Sequence, residues 1–129
     1  MADKLTRILY VEDEHDIQTV ARLALETLGD FTVEICSSGN EALSRASDFQ
    51  PQSILLDVMM PCMDVPATLK MLRELPQFAS DPVIFMTTKV QPGEVAGYKE
   101  IGAVDVFPKP FDPMILSRQV QAIREYCHG

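Results

Sequence analysis

Charged or hydroxyl-bearing side chains follow several short apolar runs of this 129-residue chain. Asp57 ends the run "SILLD", Glu12 and Asp13 follow "RILYV", Thr87 ends "VIFMT", and Lys109 comes just after "DVF". Runs of this length and composition are typical of strands in a parallel sheet. If the strands are parallel, their carboxyl ends share one edge, and three carboxylates, a hydroxyl and an ammonium group meet there.

This group of side chains suits a metal ion and a phosphoryl group. Two carboxylates about 4 Å apart repel by about 4 kcal/mol at an effective dielectric constant of about 20, so a cluster of them requires cations. Lys109 supplies one positive charge, and Mg²⁺, which prefers oxygen ligands and phosphate partners, suits the rest. Asp57 is the candidate nucleophile for an aspartyl-phosphate. Thr87 and Lys109 are candidates to stabilise charge on the phosphoryl oxygens.

Composition limits the class of protein. At 129 residues, with 47% hydrophobic and 23% charged residues, the sequence predicts one globular domain. The formal net charge of −8 argues against nucleic acid and anionic membranes as partners. No C-x-x-C pair occurs, so neither a disulfide framework nor a zinc site is indicated by the cysteines, Cys36, Cys62 and Cys127. The sequence shows no signal peptide or membrane anchor, so we expect a cytoplasmic location.

Strand patterns alternate with amphipathic helical patterns, which predicts an α/β fold with a doubly wound, five-stranded parallel sheet. The predicted strands are Arg7–Val11, Phe31–Ile35, Ser53–Asp57, Val83–Thr87 and Asp105–Phe107. The predicted helices carry Ile17, Val20, Ala21, Ala24 and Leu28 before a stop at Gly29, then Ala42 to Ala46, then Leu69 and Leu72 after Pro66, then Gly93–Ile101, then Pro113 to about Cys127. The apolar strand before Asp57 would hold that carboxylate rigidly, as phosphoryl transfer requires.

Four motifs make the chain resemble a known family. They are "YVEDE" with Glu12 and Asp13, "LLDVMMPCMD" with Asp57, "MTT" with Thr87, and "KPFDP" with Lys109 and Pro110. In this order and at strand ends, they resemble the receiver domains of two-component response regulators. The resemblance runs from about Arg7 to Ile123 and implies a flavodoxin-like fold with strand order 2-1-3-4-5. It also implies a single receiver domain over residues 1–129, with no output domain.

The resemblance implies that Asp57 accepts a phosphoryl group. The donor would be the phosphohistidine of a sensor histidine kinase or a histidine phosphotransfer protein, and phosphorylation would switch binding to a downstream protein. Mg²⁺ would be held by Asp13, Asp57 and the backbone carbonyl of Met59, with Glu12 assisting largely through water. Such a domain catalyses its own phosphorylation and dephosphorylation and is not a conventional enzyme.

Two further residues receive roles from the same resemblance. Thr87 would donate a hydrogen bond to a phosphoryl oxygen. Lys109 would pair with Asp57 before transfer and with the phosphoryl group afterwards. The bond between Lys109 and Pro110 would be cis.

The chain departs from the usual receiver pattern at three places. Val65, followed by Pro66, stands where glycine is common, Thr88 is larger than the usual residue, and Val106 replaces an aromatic residue. The valine side chain is short and restricted about χ1, so its rotamers sweep little volume. We therefore expect phosphorylation to move the backbone of the segment from Thr88 to Pro92, and with it the start of the helix that follows.

Two other functions are compatible with parts of the pattern. A hydrolase with an aspartyl-phosphate intermediate, of the haloacid-dehalogenase-like kind, would place a second acid two residues after the nucleophile, where this chain has Met59. A pseudo-receiver would bind a partner protein without being phosphorylated. Because the acidic, threonine and lysine positions are all filled, the phosphorylated receiver is the favoured interpretation.

Overall fold

The computed structural model describes residues 7–59, 65–74, 82–88 and 90–128. Within these residues, five parallel strands form one sheet in the order β2-β1-β3-β4-β5. The strands are β1 (Arg7–Val11), β2 (Thr32–Cys36), β3 (Ser53–Asp57), β4 (Val83–Thr87) and β5 (Asp105–Pro108). The predicted fold class and strand order are therefore confirmed.

The helices connect successive strands. They are α1 (His15–Leu23), which continues as a π-helical segment (Ala24–Leu28), α2 (Gly39–Phe49), α3 (Val65–Glu74), α4 (Pro92–Ile101) and α5 (Leu116–His128). The predicted bounds differ from these by a few residues at most. The predicted segment from Ala42 to Ala46 is shorter than α2 at both ends. At α5 the predicted start, Pro113, comes too early, because the residues from Pro113 to Ile115 form a turn that closes on the Asp112 backbone carbonyl, 3.1 Å from the Leu116 amide nitrogen.

The first helix does not keep the simple periodicity that its sequence predicts. Ala21, Ala24 and Leu25 are buried, whereas Val20 and Leu28 are 43% and 50% exposed. The helix widens to i→i+5 bonding over its last five residues, so side chains there no longer follow the 3.6-residue period. The predicted stop at Gly29 is confirmed, because the helical segment ends there.

Gly29 is required by close packing. A Cβ atom at this position would lie 2.7 Å from the Cβ of Ser117 on α5 and 2.6 Å from the ring of Phe31. The backbone φ of Gly29 is −105°, so a left-handed conformation is not the reason for the glycine. The missing side chain lets the end of the first helix approach α5.

The sheet separates two hydrophobic clusters, and strand alternation assigns each side chain to one of them. Helices α2, α3 and α4 cover the face that includes Leu9, Leu56 and Phe85. Helices α1 and α5 cover the face that includes Tyr10 and Leu55. Val106 packs on the first face and Phe107 on the second, because side chains alternate along β5.

Helix α4 differs from the other described helices in the burial of its residues. It has no buried residue, whereas each of the other described helices has at least one. Its ring contact with the sheet joins Tyr98 to Phe85 on β4, with centroids 5.5 Å apart and planes at 77°. Such an edge-to-face pair contributes about 1 kcal/mol beyond its buried area. Because α4 has no buried residue, we expect it to have low local stability.

Two further properties concern the described part of the chain. Cys36 is buried there, and burial raises the pKa of its thiol to about 12, so the thiol is protonated at neutral pH. In the same part, no helix combines the length and the apolar character that crossing a bilayer requires. Cys62 lies outside the described residues.

Candidate functional site

The two central strands bring the predicted carboxylates together. Strand β1 pairs with β3 in parallel register, with Val11 opposite Leu56, so the residues after them, Glu12 and Asp57, are neighbours. One carboxylate oxygen from each of Glu12, Asp13 and Asp57 lies within 4.8 Å of the other two. Glu12 and Asp57 are buried and Asp13 is exposed. The rim that the sequence predicted is therefore formed, and it opens to solvent at Asp13.

Lys109 reaches this cluster from the end of β5. Its Nζ lies 3.0 Å from Oδ2 of Asp57 and 3.0 Å from Oε1 of Glu12, and its side chain is 11% exposed. Its backbone N–H donates to the carbonyl of Thr87, at 2.9 Å, which fixes the turn after the strand. The peptide bond between Lys109 and Pro110 is cis, as the resemblance implied.

Asp57 is held on both oxygens. Oδ2 accepts from Lys109, while Oδ1 accepts from the backbone N–H of Met59 at 2.9 Å. The side chain is 2% exposed, and the strand beneath it is buried along its whole length. The carboxylate is thus oriented before any substrate arrives.

The cluster of carboxylates around Lys109 has more negative than positive charge. The pKa of Glu12 is raised to about 7, chiefly by burial and also by the nearby Asp57, while Lys109 acts in the opposite direction. For Lys109, burial lowers the pKa, but hydrogen bonds to Asp57 and Glu12 outweigh it, so the pKa is raised. One ammonium group therefore does not neutralise this cluster, and a cation would relieve the repulsion.

Tyr10 lies beneath the acid cluster on β1. Burial raises the pKa of its phenol, and the charges of Glu12 and Asp57 raise it further. Within the described part of the chain its hydroxyl has no hydrogen-bond partner, although it is fully buried. Tyr10 therefore packs as a neutral side chain of the core.

On the other side of the rim, a methionine meets two threonines. The Sδ of Met59 lies 3.2 Å from Oγ1 of Thr87 and 4.0 Å from Oγ1 of Thr88. Thr87 is buried and Met59 is 41% exposed. We call Glu12, Asp57 and Lys109 the acid half of the site, and Met59, Thr87 and Thr88 the hydroxyl half.

Sequence reasoning missed two of these contacts. The ion pair between Lys109 and Glu12 was not predicted, although the excess of carboxylates over cations pointed to some such pairing. The contact of the Met59 thioether with the threonines was also missed. In the parallel pairing of β3 with β4, Asp57 lies opposite Met86. The next residues along each strand are therefore close, and this brings Met59 near Thr87.

The donor set fits Mg²⁺. Three carboxylates near one another, one of them open to solvent, are the hard oxygen ligands that this ion prefers, and they leave room for water and phosphate. The carbonyl of Met59 as a further ligand stays a prediction. The predicted loop beyond it, residues 60–64, lies outside the described residues, as does Lys89 in the Thr88–Pro92 segment.

Comparison with known proteins gives the family. The model of the "Response regulator receiver domain" family matches residues 8–121. The chain therefore belongs to the receiver-domain family of two-component response regulators, as its motifs predicted. Members of this family are typically not conventional enzymes, and the cluster of Glu12, Asp13 and Asp57 fits their phosphorylation site.

Individual relatives agree with this family. The alkaline phosphatase synthesis transcriptional regulatory protein PhoP of Bacillus subtilis is 37% identical over 117 residues, which cover 91% of this chain and 48% of that protein. The transcriptional regulatory protein CseB of Streptomyces coelicolor is 33% identical over 130 residues, which cover 100% of this chain and 53% of that protein. The chain thus spans about half the length of these curated relatives.

A solved structure matches nearly the whole chain. It is the chemotaxis response regulator CheY4 of Vibrio cholerae, with a TM-score of 0.84 and 29% identity, covering 93% of this chain and 99% of that one. A relative of similar length therefore has the same fold, with helices on both faces of the sheet.

Proposed function

We propose that Asp57 accepts a phosphoryl group from a histidine kinase or a histidine phosphotransfer protein, in a Mg²⁺-dependent reaction, and that this switches binding to a partner protein. The observation that carries the proposal is the position of the Asp57 carboxylate. It ends a fully buried strand, Lys109 contacts one oxygen at 3.0 Å, and the carboxylates of Glu12 and Asp13 lie beside it.

The chemistry assigned to Asp57 is nucleophilic attack. A carboxylate oxygen bonds to phosphorus, the bond between phosphorus and the donor's imidazole nitrogen breaks, and the imidazole leaves with that electron pair and takes up a proton. The chain contributes orientation, because the Met59 N–H and the Lys109 ammonium group fix the carboxylate before reaction. In this sense the domain catalyses its own modification.

Charge stabilisation is divided among the neighbouring groups. Glu12, Asp13 and Asp57, with the Met59 carbonyl, would hold Mg²⁺, which when bound neutralises charge on the phosphoryl oxygens. Lys109 already contacts Asp57 and would pair with the phosphoryl group after transfer. Thr87 would donate its hydroxyl to a phosphoryl oxygen, for which it must leave the sulfur of Met59.

A direct test uses a small phosphodonor. With acetyl phosphate and Mg²⁺, the wild-type protein should gain one phosphoryl group that is stable in acid and labile in base, and a chelator should prevent this. Asp57→Asn should abolish the labelling. Asp48→Asn is the matched control, because Asp48 is an exposed aspartate on α2 and its substitution should leave labelling unchanged. Phosphate found by mass spectrometry at another residue, or labelling unaffected by chelator, would refute the proposal.

The pseudo-receiver is the second candidate, and one observation favours it. Lys109 contacts both Glu12 and Asp57, so part of the negative charge is compensated without a metal ion. A pseudo-receiver of this kind would bind its partner equally well with or without acetyl phosphate, and its wild-type form would gain no phosphoryl group. The labelling experiment therefore separates the two candidates.

The proposed reaction at Asp57 also defines the class of partner that would donate the phosphoryl group. We place the protein in the cytoplasm, where a phosphohistidine on a sensor kinase or phosphotransfer protein would meet Asp57. A phosphotransfer profile against the histidine kinases of the source organism should show one donor that transfers much faster than the others. Equal, slow transfer from every kinase would argue that none of them is the donor.

A further inference from the structure

The thioether of Met59 occupies a place that the proposed reaction needs. Its Sδ lies 3.2 Å from the hydroxyl oxygen of Thr87, the group assigned to a phosphoryl oxygen. The same sulfur lies 4.0 Å from the hydroxyl oxygen of Thr88. Met59 also binds Asp57 through its backbone, since its N–H donates to Oδ1. One residue therefore contacts both the nucleophile and the threonine expected to bind the transferred group.

The strength of this contact depends on the oxidation state of the sulfur. A thioether is a weak hydrogen-bond acceptor, so Thr87 can leave it readily for a phosphoryl oxygen. Oxidation to the sulfoxide adds a polar oxygen to the side chain. The 4.0 Å between the Met59 sulfur and Thr88 Oγ1 has room for that oxygen at a hydrogen-bond distance of about 2.7 Å from the hydroxyl.

The sulfur is also within reach of an oxidant. Met59 is 41% exposed, whereas Met86, one strand away, is fully buried. Exposure and position are thus combined at Met59, because it is open to solvent and contacts the two threonines. Exposed Met71, on α3, offers a comparison for oxidation elsewhere on the surface.

We propose that Met59 is a site of reversible oxidation by peroxides and that its sulfoxide slows phosphorylation of Asp57. The sulfur attacks one oxygen of hydrogen peroxide and the O–O bond breaks. The departing hydroxide takes the proton from the oxygen now bound to sulfur and becomes water, which leaves the neutral sulfoxide. The sulfur loses two electrons and gains the oxygen. A dithiol-driven methionine sulfoxide reductase reverses the change, releasing the oxygen as water while the dithiol becomes a disulfide.

The inference rests on the proposed function of Asp57 and extends it to regulation. The sulfoxide oxygen accepts hydrogen bonds from the hydroxyls of Thr87 and Thr88 and competes with the phosphoryl oxygens for these donors. One neutral hydrogen bond of this kind corresponds to about a tenfold change in rate. The phosphorylation rate with acetyl phosphate should therefore fall about tenfold on oxidation and recover after reductase treatment.

The experiment compares untreated, peroxide-treated and reductase-treated protein, with each rate normalised to the untreated sample of the same variant. Tandem mass spectrometry assigns the sulfoxide to Met59 and separates it from neighbouring Met60 and Met63. Met59→Leu should lose the peroxide effect, whereas the matched control Met71→Leu should keep it. Thr88→Val should form the same sulfoxide but show a smaller fall in rate.

The outcomes separate this inference from the function on which it rests. If untreated protein is phosphorylated on Asp57 and oxidation of Met59 leaves the rate unchanged, the redox inference alone is wrong. If untreated protein gains no phosphate, both are wrong. A readout independent of phosphorylation is the NMR signal of the Thr87 and Thr88 methyl groups, which should shift when Met59 is oxidised and return after reduction. Unshifted methyl signals at full oxidation would contradict the proposed contact.

Discussion

The acid half of the site is fixed by ion pairs at the ends of strands that the core buries, whereas the hydroxyl half continues into a helix with no buried residue. In the acid half, Lys109 contacts two buried carboxylates at 3.0 Å each. In the hydroxyl half, the contacts are a sulfur and two hydroxyls, and the chain then enters α4, where Tyr98 provides a ring contact with the sheet.

This difference suggests a division of labour. Phosphoryl transfer requires a nucleophile held within a fraction of an ångström, and a buried strand with two-sided hydrogen bonding provides that. Signalling requires an element with two arrangements of similar free energy, and elements with few buried contacts are the ones that open most easily. The acid half therefore suits the chemistry, and the segment from Thr88 into α4 suits the response.

The largest expected effect is at Lys109. Lys109→Ala should lower the free energy of unfolding of the metal-free protein by about 3 kcal/mol at pH 8, because it leaves two buried carboxylates without their cation. Urea denaturation measures this. Lys70→Ala, an exposed lysine on α3, is the control and should change stability by less than about 0.5 kcal/mol. Equal stability of the two variants would mean that the acid half is not held by Lys109.

A second, smaller effect should come from the ionisation of Glu12. The folded-state pKa of about 7 is above the ordinary value of 4.5, so the folded protein binds the extra proton between these values. The stability that this contributes is full below pH 4.5 and is lost as the pH rises through about 7. The metal-free wild type should lose roughly 2 to 3 kcal/mol over this range from Glu12.

Glu12→Gln isolates that contribution, since glutamine keeps the shape but does not ionise. The difference in unfolding free energy between variant and wild type should grow in favour of the variant from pH 5 to pH 8. A difference that stays constant with pH would show that Glu12 titrates normally, and the charge deficit inferred for the acid half would be wrong.

The smallest effect on global stability is expected at Tyr98, and it tests whether α4 opens separately from the sheet. Tyr98→Ala removes the ring contact with Phe85 and should cost about 1 kcal/mol or slightly more in global stability. Its local effect should be larger, with faster amide hydrogen exchange in α4 and unchanged exchange in β1 and β3. Tyr98→Phe keeps the ring and should resemble the wild type. Uniformly faster exchange across the sheet would contradict the idea that α4 opens separately.

Much of the acid half could be predicted from sequence, because parallel strands bring their carboxyl ends to one edge whatever lies between them. The positions of Glu12, Asp57 and Lys109 at the ends of apolar runs placed them on that edge, and the strand order that sets their neighbours there came from the resemblance to receiver domains. The ion pair between Lys109 and Glu12 depends on a side-chain conformation, and strand patterns carry no information about it.

The features that sequence reasoning missed depend on tertiary packing. The π-helical segment changes which face of the first helix is buried, and simple periodicity assumes a constant 3.6-residue turn. The start of α5 at Leu116 depends on a turn around Asp112 that helix propensity does not describe. The contact of Met59 with the threonines depends on where a flexible side chain comes to rest.

The measurement that tests the division of labour most directly is amide hydrogen exchange of the wild-type protein with Mg²⁺, with and without beryllofluoride as a phosphoryl mimic at Asp57. We predict changed exchange from Thr88 through α4, with little change in β1, in β3 and at Val106. Unchanged exchange in that segment, together with a large change elsewhere on the surface formed by α4, β5 and α5, would contradict the account.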